Sequence, residues 1–393
     1  MLKPNTNYQN LKDSYLFDTI LQKSKDYLKN NPNAHLLRLG VGDVTLPLPE
    51  VVIEALHNAV DDQSKKETFH GYMYECGDYA LREKIALHYA ERGIKIAPDE
   101  VFISTGACDE LADIIDLFDI SNSALVMEPA YPSYVETNVI AGRRIIRMNS
   151  SEENLFMPTP EKNTKADIIY ICSPNNPTGV VFDFENLKKW VDFANQNGSI
   201  IIFDAAYEVF IDSPHLPRSI FEIEGAKTCA IEICSLSKTA GFTGTRLGYT
   251  VVPKNIIREK MSINEMWTRN RLSKTNGVSY ILQKGAMAVF TRKGQEQIKA
   301  NLQVYKENAK VLTNALDKTN TWYTGGKNSP YLWLRCPDNM NSWEFFDYLL
   351  NKAQIVGTPG AGFGKCGEKY FRLSSFGDPH DTVEAAKRLI KIL

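Results

Sequence analysis

The chain has 393 residues, of which 43% are hydrophobic and 10% are aromatic. This length exceeds one small core and the aromatic content argues against disorder, so we expect two domains or one large α/β domain with additions. The formal net charge of −2 supplies no basic field for nucleic acid. Since no apolar run approaches the roughly 18–20 residues of a membrane span, a soluble protein is expected.

The cysteines and the N-terminus indicate the compartment. There are seven cysteines, an odd number, and no pair has the CxxC spacing. This pattern is typical of reduced thiols in the cytoplasm and not of a disulfide framework or a zinc site. The first ten residues are polar and lack the apolar segment of a secretory signal. The six histidines show no ligand spacing, so no metal site is expected.

Short apolar runs alternate with helical patterns through the middle of the chain. Runs of this kind are typical of strands buried on both faces of a mostly parallel sheet. They predict strands at 101–104, 124–127, 168–171, 200–203, 231–233 and 248–252. Helices are predicted at about 109–118 and at 185–197, where Gly198 is the stop signal.

The two ends of the chain have a different pattern. Residues 11–30 and 292–318 are predicted to be helical, and 322–393 mixes strands with helices at about 342–353 and 380–392. We therefore predict an α/β fold with a large domain at 45–285. A smaller α+β domain is predicted from 1–44 and 286–393.

The strongest chemical signal follows the predicted strand 231–233. It is the run Ser235-Leu236-Ser237-Lys238, followed eight residues later by Arg246. A lysine after two serines is usually a solvated loop residue. Here, hydroxyl groups and a guanidinium surround one lysine after a buried strand, which suits a phosphate group held beside a reactive amine.

Two further motifs follow the preceding strands. Asn176 lies after strand 168–171, and Asp204 and Tyr207 follow strand 200–203. An aspartate in such a place is about as often a simple helix cap. In open α/β sheets, however, ligands bind beyond the carboxyl ends of the strands, so three successive strand ends predict one site.

Longer strings of residues carry a family resemblance that extends over nearly the whole chain. Together with the motifs above, they resemble the pyridoxal-phosphate-dependent aminotransferases of fold type I, and within them most closely the LL-diaminopimelate aminotransferases. The strings are SLSKTAGFTGTRLGY (235–249), CSPNNPTG (172–179), IIFDAAYE (201–208), GKNSPYLWL (326–334), GTPGAGFG (357–364) and YFRLSSF (370–376).

The resemblance implies that pyridoxal 5'-phosphate is the cofactor and assigns residues to its ring. Lys238 is implied to hold the cofactor covalently as an imine and to move the substrate proton. Asp204 is implied to pair with the pyridine nitrogen and keep the ring an electron sink. Asn176 and Tyr207 are implied to bind the 3′-oxygen, and Tyr131 to stack on the ring.

The same resemblance assigns residues to the cofactor phosphate. Ser235, Ser237 and Arg246 are implied to contact it. The turn Gly106-Ala107-Cys108 joins a predicted strand to a helix, where free backbone N–H groups form an anion site. Tyr72 is implied to reach the phosphate from the other subunit, which implies a homodimer with shared active sites.

The substrate is also implied by the resemblance. Arg372 is implied to bind the α-carboxylate through two parallel hydrogen bonds. Tyr131, Asn176 and Arg246 also belong to the implied substrate site, and Gly42 gives the substrate room near the backbone. The distal part of the substrate is assigned to Tyr15, Glu75 and Asn276, of which the last two come from the partner subunit.

The implied reaction is reversible transamination between LL-2,6-diaminopimelate and 2-oxoglutarate, which yields tetrahydrodipicolinate and glutamate, in the biosynthesis of lysine and diaminopimelate. A carboxylate at Glu75 suits the second ammonium group of diaminopimelate. The sequence departs from the family at Cys108, where the family usually has a lysine, and also within 71–77. A thiol does not replace that cation.

Several alternatives therefore stay open. The first is an aminotransferase of the same fold that acts on another amino acid, aromatic or dicarboxylic. The second is another reaction of the same cofactor, such as β-elimination or decarboxylation, although Arg372 argues against decarboxylation because it stabilises the carboxylate that must leave. The third is a catalytically silent regulator or binding module, against which Lys238, Asp204 and Arg372 argue together.

Overall fold

The structure is a computed structural model that describes residues 2–11, 15–40, 42–337 and 340–393. Within these ranges the α-helices are α1 Leu16–Asn30, α2 Glu50–Gln63, α3 Tyr79–Ala90, α4 Ala107–Asp113, α5 Ser133–Ile140, α6 Phe184–Asn197, α7 Leu236–Ala240, α8 Ile263–Lys274, α9 Tyr280–Val289, α10 Arg292–Lys318, α11 Ser342–Ala353 and α12 Pro379–Ile392. The strands are β1 Leu37–Arg38, β2 Val101–Ser104, β3 Ala124–Glu128, β4 Ile145–Asn149, β5 Ile168–Cys172, β6 Ile200–Asp204, β7 Ala230–Ser235, β8 Gly248–Val251, β9 Ile257–Arg258, β10 Met261–Ser262, β11 Tyr323–Gly325, β12 Tyr331–Arg335, β13 Ile355–Val356, β14 Thr358–Pro359 and β15 Tyr370–Ser374.

A seven-stranded sheet forms the centre of the molecule, in the order β2-β8-β7-β6-β5-β3-β4. Strand β8 runs antiparallel to both of its neighbours, and the other six strands share one direction. The predicted α/β fold with a mostly parallel sheet is therefore confirmed. All six strands that were predicted from apolar runs belong to this sheet, with ends that differ by at most two residues.

Both faces of the sheet are buried. On β5, Ile169 and Ile171 belong to one hydrophobic cluster, whereas Ile168 and Tyr170 belong to another. Successive side chains of a strand point to opposite faces, so each face has its own covering of helices. A strand with two buried faces has no polar side to display, which explains the continuous apolar runs in the sequence.

A second core lies around the four-stranded sheet β11-β12-β15-β14. It includes Leu16 and Ile20 of α1 together with residues of α10, α11 and α12. Strand β1 pairs in parallel with β13, with Leu37 opposite Ile355. Residues from both ends of the chain thus share this core. The division at 45 and 285 stays a prediction.

The helix predicted at 109–118 is only partly correct. Helix α4 begins two residues earlier and ends at Asp113, and a 3-10 turn, Ile114–Leu117, follows it. The guanidinium of Arg143 accounts for the change, because it donates hydrogen bonds to the carbonyl oxygens of Ile115 and Phe118. In a continued α-helix these oxygens would accept bonds from later N–H groups. The predicted helix 292–318 coincides with α10.

Of the predicted helix at 11–30, residues 12–14 lie outside the described ranges, and α1 begins at Leu16. None of the helices in the described ranges has the length and apolar character to cross a membrane.

Candidate active site

A cavity of about 610 Å³ lies at the carboxyl ends of β5, β6 and β7. Thirteen of the sixteen predicted site residues line it. They are Tyr15, Gly42, Ala107, Cys108, Tyr131, Asn176, Asp204, Tyr207, Ser235, Ser237, Lys238, Arg246 and Arg372. Residues distributed from 15 to 372 in the chain are thus brought together in one concave site, which is where an α/β sheet binds its ligands.

Lys238 lies in α7, the short helix that follows β7 directly. Its Nζ donates a hydrogen bond to the carbonyl oxygen of Gly42. A Cβ atom at Gly42 would lie only 2.6 Å from the hydroxyl oxygen of Tyr331, so the position requires glycine. Burial lowers the pKa of Lys238 to about 8. Near neutral pH this lysine is therefore uncharged far more often than an ordinary lysine, and the uncharged amine is the nucleophile.

Asp204 is the last residue of β6, and its carboxylate is buried. Oδ2 accepts a hydrogen bond of 2.6 Å from the hydroxyl of Tyr134, and Oδ1 accepts one of 3.0 Å from the backbone N–H of Ala206. Burial raises the pKa of Asp204, and the two hydrogen bonds oppose that rise. Within the described part of the chain, this carboxylate accepts hydrogen bonds only from neutral donors. A buried carboxylate is stable as an anion beside a positive charge, so this part of the cavity suits a cationic group of a ligand.

Arg372 lies on β15 with 1% of its surface exposed. Nη1 donates to Oδ1 of Asn176 at 2.5 Å, and Nη2 donates to the carbonyl oxygen of Gly40 at 2.6 Å. The guanidinium lies 4.4 Å from the ring centre of Tyr331. Among the described residues no carboxylate pairs with it, and its buried Nε lacks a hydrogen-bond partner. This arrangement fits an incoming carboxylate.

Two tyrosines line the cavity beside Arg372. The hydroxyl oxygens of Tyr207 and Tyr331 lie 2.6 Å apart in a hydrogen bond. Burial raises the pKa of both. Both phenols therefore stay protonated at physiological pH, and because one hydroxyl donates to the other, one O–H of the pair remains to donate toward the cavity.

A third part of the cavity is built for an anion. Nη1 of Arg246 lies 3.4 Å from Oγ of Ser237, and Ser235 precedes the first residue of α7. The guanidinium also lies against the backbone of Gly106, where an added Cβ would lie 2.5 Å from Nη2. Gly106 has φ 137°, and α4 begins at the next residue, Ala107. The first N–H groups of a helix have no acceptor within the helix, so they bind anions.

An aromatic group forms the side of the cavity near α5. The rings of Tyr131 and Tyr134 pack edge to face, with centroids 5.7 Å apart. The hydroxyl of Tyr131 lies 3.8 Å from Sγ of Cys108, and it also interacts with the Tyr15 hydroxyl. Burial raises the pKa of Tyr131 above its usual range. Cys108 is exposed to the cavity and supplies no positive charge there.

The three predicted residues that do not line the cavity are Tyr72, Glu75 and Asn276. They are the residues that the family resemblance assigns to the partner subunit. Tyr72 is 89% exposed. The segments that carry them are adjacent, because a Cβ atom at Gly277 would lie 2.6 Å from the carbonyl oxygen of Met73.

Comparison with known families identifies the chemistry of this site. The sequence profile described as "Aminotransferase class I and II" matches residues 34–389, which include all of the cavity residues named above except Tyr15. The chain belongs to the class I and II aminotransferases. These enzymes depend on pyridoxal phosphate, so this aminotransferase is a pyridoxal-phosphate-dependent enzyme.

Curated relatives and a solved structure cover the whole chain. An LL-diaminopimelate aminotransferase from Lachnospira eligens is 47% identical over 402 residues, with 99% of each chain covered. One from Agathobacter rectalis has the same identity and coverage. The structure of an L,L-diaminopimelate aminotransferase from Chlamydomonas reinhardtii superposes with a TM-score of 0.93 at 37% identity and covers 98% of each chain.

The cavity of this aminotransferase fits the cofactor of its family. The Asp204 carboxylate lacks a cation among the described residues, and a protonated pyridine nitrogen would supply one. The cradle of Arg246, Ser235 and Ser237 suits a phosphate dianion, and Lys238 supplies a nucleophilic amine in the same cavity.

Two residues that line the cavity, Tyr134 and Tyr331, are not among the site residues predicted from the sequence. Tyr134 lies three residues after Tyr131, a spacing that places both near one helix end. Tyr331 lies inside the string 326–334 that contributed to the resemblance, but no role was assigned to it. Both are ordinary core aromatics by sequence, because their significance comes from contacts with Asp204 and Arg372 that only the fold brings about.

Proposed function

We propose that this aminotransferase transfers an amino group between LL-2,6-diaminopimelate and 2-oxoglutarate, with tetrahydrodipicolinate and glutamate as the products, in the biosynthesis of lysine and diaminopimelate. The proposal rests on the surroundings of Arg372. Among the described residues, its buried guanidinium binds only neutral acceptors, and it lies in the same cavity as the Lys238 amine. The curated relatives that match the whole chain at 47% identity support the choice of substrate.

Lys238 would be the proton carrier of the reaction. Its pKa of about 8 lets the amine accept a proton from Cα of the substrate and return it to the cofactor side. The hydrogen bond from Nζ to the Gly42 carbonyl, another residue of the cavity lining, holds the amine in place. When bound, pyridoxal phosphate supplies the electron sink that makes the Cα proton acidic.

Asp204 would hold the pyridine nitrogen, and Asn176 and Tyr207 would hold the ring 3′-oxygen. Tyr134 keeps the Asp204 carboxylate in one orientation through its 2.6 Å hydrogen bond. The anion cradle at Ser235, Ser237, Arg246, Ala107 and Cys108 would hold the phosphate, through side chains and through the N–H groups at the start of α4.

The substrate would be fixed at its α-carboxylate by Arg372, and its reacting end would lie beside Tyr131. Arg372 is held by Asn176 and Gly40 before any substrate arrives, so little side-chain entropy is lost on binding. The N–H groups of a guanidinium lie in one plane and form a fork that matches a carboxylate and not an ammonium group. This selects amino acids and 2-oxo acids over simple amines.

The distal end of the substrate would meet Tyr15 in the same chain and Glu75 and Asn276 from a second subunit. We propose a homodimer on this basis, supported by the position of these last two residues and Tyr72 outside the chain's own cavity. A cytoplasmic location is part of the same proposal, and the seven cysteines, all without disulfide partners, support it.

The test is a set of half-reactions with the purified holoenzyme. Excess LL-diaminopimelate, meso-diaminopimelate and glutamate are added separately, and the loss of the visible absorbance of the bound cofactor is followed together with formation of the 2-oxo product. We expect conversion by LL-diaminopimelate and by glutamate. Conversion by glutamate alone would keep the aminotransferase activity and overturn the proposed amino donor.

A second candidate function is transamination of an aromatic or dicarboxylic amino acid, and Cys108 favours it because this residue adds no cation near the substrate. Phenylalanine, tyrosine and aspartate are therefore assayed in parallel. Faster conversion of one of these than of LL-diaminopimelate would support the second candidate. The matched variant Cys108→Lys restores the residue that the family usually has, and it is expected to raise kcat/KM for LL-diaminopimelate more than for glutamate.

We also propose a large domain at 45–285 and a smaller one from 1–44 and 286–393. The second core, which joins α1 to α11 and α12, supports this division. Helix α10 belongs to both cores, since Ile298 and Leu302 pack in the first and Leu312 and Leu316 in the second.

A further inference from the structure

A cluster of charges centred on the buried pair of Arg271 and Glu110 lies directly behind the phosphate cradle, and the partly exposed Asp113 completes it. Arg271 of α8 is 4% exposed, and its Nη1 pairs with Oε1 of Glu110 at 2.9 Å. Its Nη2 pairs with Oδ2 of Asp113 at 2.6 Å and contacts Oδ1 of Asn270 at 3.0 Å. Glu110 and Asp113 are both residues of α4, the helix whose first turn faces the cavity. One guanidinium therefore holds two carboxylates of a helix that has seven residues.

The same helix is tied to β8 at two points. Thr250 donates a hydrogen bond of 2.5 Å to Oε2 of Glu110, so both oxygens of this carboxylate are occupied. Two residues earlier on β8, Gly248 packs so closely on the start of α4 that an added Cβ would lie 3.1 Å from the backbone nitrogen of Ala107. The contact at Gly248 fixes the beginning of the helix, and the contact at Thr250 fixes its next turn.

Helix α8 is itself firmly anchored, so Arg271 is a fixed point and not a mobile side chain. The Asn264 side chain donates to the carbonyl oxygen of Val252 at 2.7 Å, at the end of β8. The Trp267 ring packs against Phe102 of β2 and lies 4.2 Å from the Arg271 guanidinium. Helices α4 and α8 and strand β8 thus form one rigid unit around the ion cluster.

A short helix needs such support, because a helix of two turns has little stability of its own. The N–H groups at Ala107 and Cys108 bind an anion only while α4 stays formed and correctly aimed. Charge adds a second requirement. Glu110 lies within one turn of the anion site, and Asp113 follows one turn later. Arg271 offsets this negative charge behind a site that binds a dianion.

We infer that Arg271, through Glu110 and Asp113, is a positioning residue that holds the start of α4 in the geometry that binds the cofactor phosphate. This inference rests on the proposed cofactor site, and it adds a residue that does not touch the cavity. It predicts that loss of Arg271 weakens the recognition of the phosphate group specifically, while the reaction of Lys238 with an aldehyde persists.

The experiment compares pyridoxal phosphate with pyridoxal, which lacks the phosphate. Apoenzyme is titrated with each compound, Kd is measured from the visible absorbance of the bound aldehyde, and Tm is recorded for each apoprotein. For Arg271→Met we expect Kd for pyridoxal phosphate to rise about tenfold or more, because breaking a buried ion pair at one partner is costly and α4 loses its support. Kd for pyridoxal should change less than about threefold, because pyridoxal has no phosphate to contact α4. Arg271→Lys keeps the charge but loses the fork of N–H groups. Its Kd for pyridoxal phosphate should therefore lie between those of the wild type and Arg271→Met.

Arg258→Met is the matched control. Its guanidinium donates to the carbonyl oxygens of Gly198 and Ser199, at the amino end of β6, the strand whose carboxyl end faces the cavity. It should lower Tm and leave the ratio of the two Kd values unchanged. Should Arg271→Met fail to fold, Glu110→Gln takes its place, because it keeps the shape and removes the charge.

The outcomes separate the two proposals. If the variants at Arg271 and Glu110 lower Tm as the control does and leave the ratio of the two Kd values unchanged, Arg271 is a structural residue only and the inference is wrong. If the wild-type apoenzyme binds pyridoxal phosphate no more tightly than pyridoxal, the proposed phosphate site itself fails, and the inference fails with it.

Discussion

Asn176 and Arg372 share a hydrogen bond of 2.5 Å, although 196 residues separate them in the chain. Asn176 belongs to the loop after β5 of the central sheet, and Arg372 belongs to β15 of the smaller sheet. The group proposed to hold the substrate carboxylate is therefore oriented by a residue proposed to hold the cofactor. The two binding sites are aligned with each other by one direct contact.

The first prediction concerns this arginine. Arg372→Lys keeps the positive charge but loses the two parallel N–H groups, so the α-carboxylate is bound through one contact and the link to Asn176 weakens. We expect kcat/KM for both amino donor and 2-oxo acid to fall about 100-fold, ~2.7 kcal/mol in transition-state binding. Steady-state kinetics measure this effect. Arg388→Lys, remote on α12, should retain wild-type kinetics, and equal losses in the two variants would contradict the assigned role.

The second prediction concerns Asp204 and its tyrosine. Asp204→Asn removes the negative charge that we propose to pair with the ring nitrogen and keeps the shape, so we expect kcat to fall by about 10²–10⁴-fold while the cofactor still binds. Tyr134→Phe removes one hydrogen bond to that carboxylate. It should cost about tenfold, because a bond to a charged group contributes about 1.5 kcal/mol or more. An Asp204→Asn enzyme with near wild-type kcat would contradict this account.

The third prediction uses the pKa of Lys238. Burial lowers this pKa to about 8, and only the uncharged amine attacks an electrophile, so the reactivity of apoenzyme Lys238 rises as pH rises through about 8. A free lysine analogue reaches half its maximal reactivity near pH 10.4. Trinitrobenzenesulfonate labelling, located by peptide mass spectrometry, gives the profile. A midpoint above about pH 10 would show that the amine is not desolvated in solution.

The fourth prediction tests the proposed sharing of sites between two subunits. Lys238→Ala should be inactive, and Tyr72→Phe should bind pyridoxal phosphate less tightly and be slow at limiting cofactor. A dimer of one subunit of each kind has one site with Lys238 and Tyr72 both intact. Refolding an equal mixture should therefore restore about a quarter of wild-type activity, since half of the dimers are mixed and each has one intact site. Activity no greater than the average of the two parents would exclude sharing.

The central sheet was predictable because a strand that is buried on both faces has a continuous run of apolar residues in the sequence. The runs 168–171 and 200–203 contain no polar residue, and their positions as neighbouring parallel strands follow from the fold class. Helices α2, α3, α8 and α9 were not predicted. Helix α8 has polar residues on most positions yet buries Asn264 and Arg271, so its sequence shows no clear apolar stripe.

The candidate site was predictable at strand ends and less so at its periphery. Asn176, Asp204 and Lys238 follow three buried strands, so the topology alone brings them together. The residues that hold these site residues in position could not be predicted from any local sequence pattern. Tyr134 contacts Asp204, and Arg271 contacts Glu110 of α4, in each case between segments that are distant in the chain. The spacing of residues along a single sequence carries no information about such contacts.

Helix α10 has one further consequence. It runs without interruption for 27 residues, and its first half packs in the core of the large sheet while its second half packs in the core of the smaller one. The hydroxyl of Tyr305, near its middle, accepts hydrogen bonds from the backbone N–H groups of Thr45 and Leu46. Neither core can lose its packing without exposing one end of this helix. The two halves of the molecule are thereby joined into one cooperative unit, in which heat or denaturant melts the cofactor site and the smaller core together.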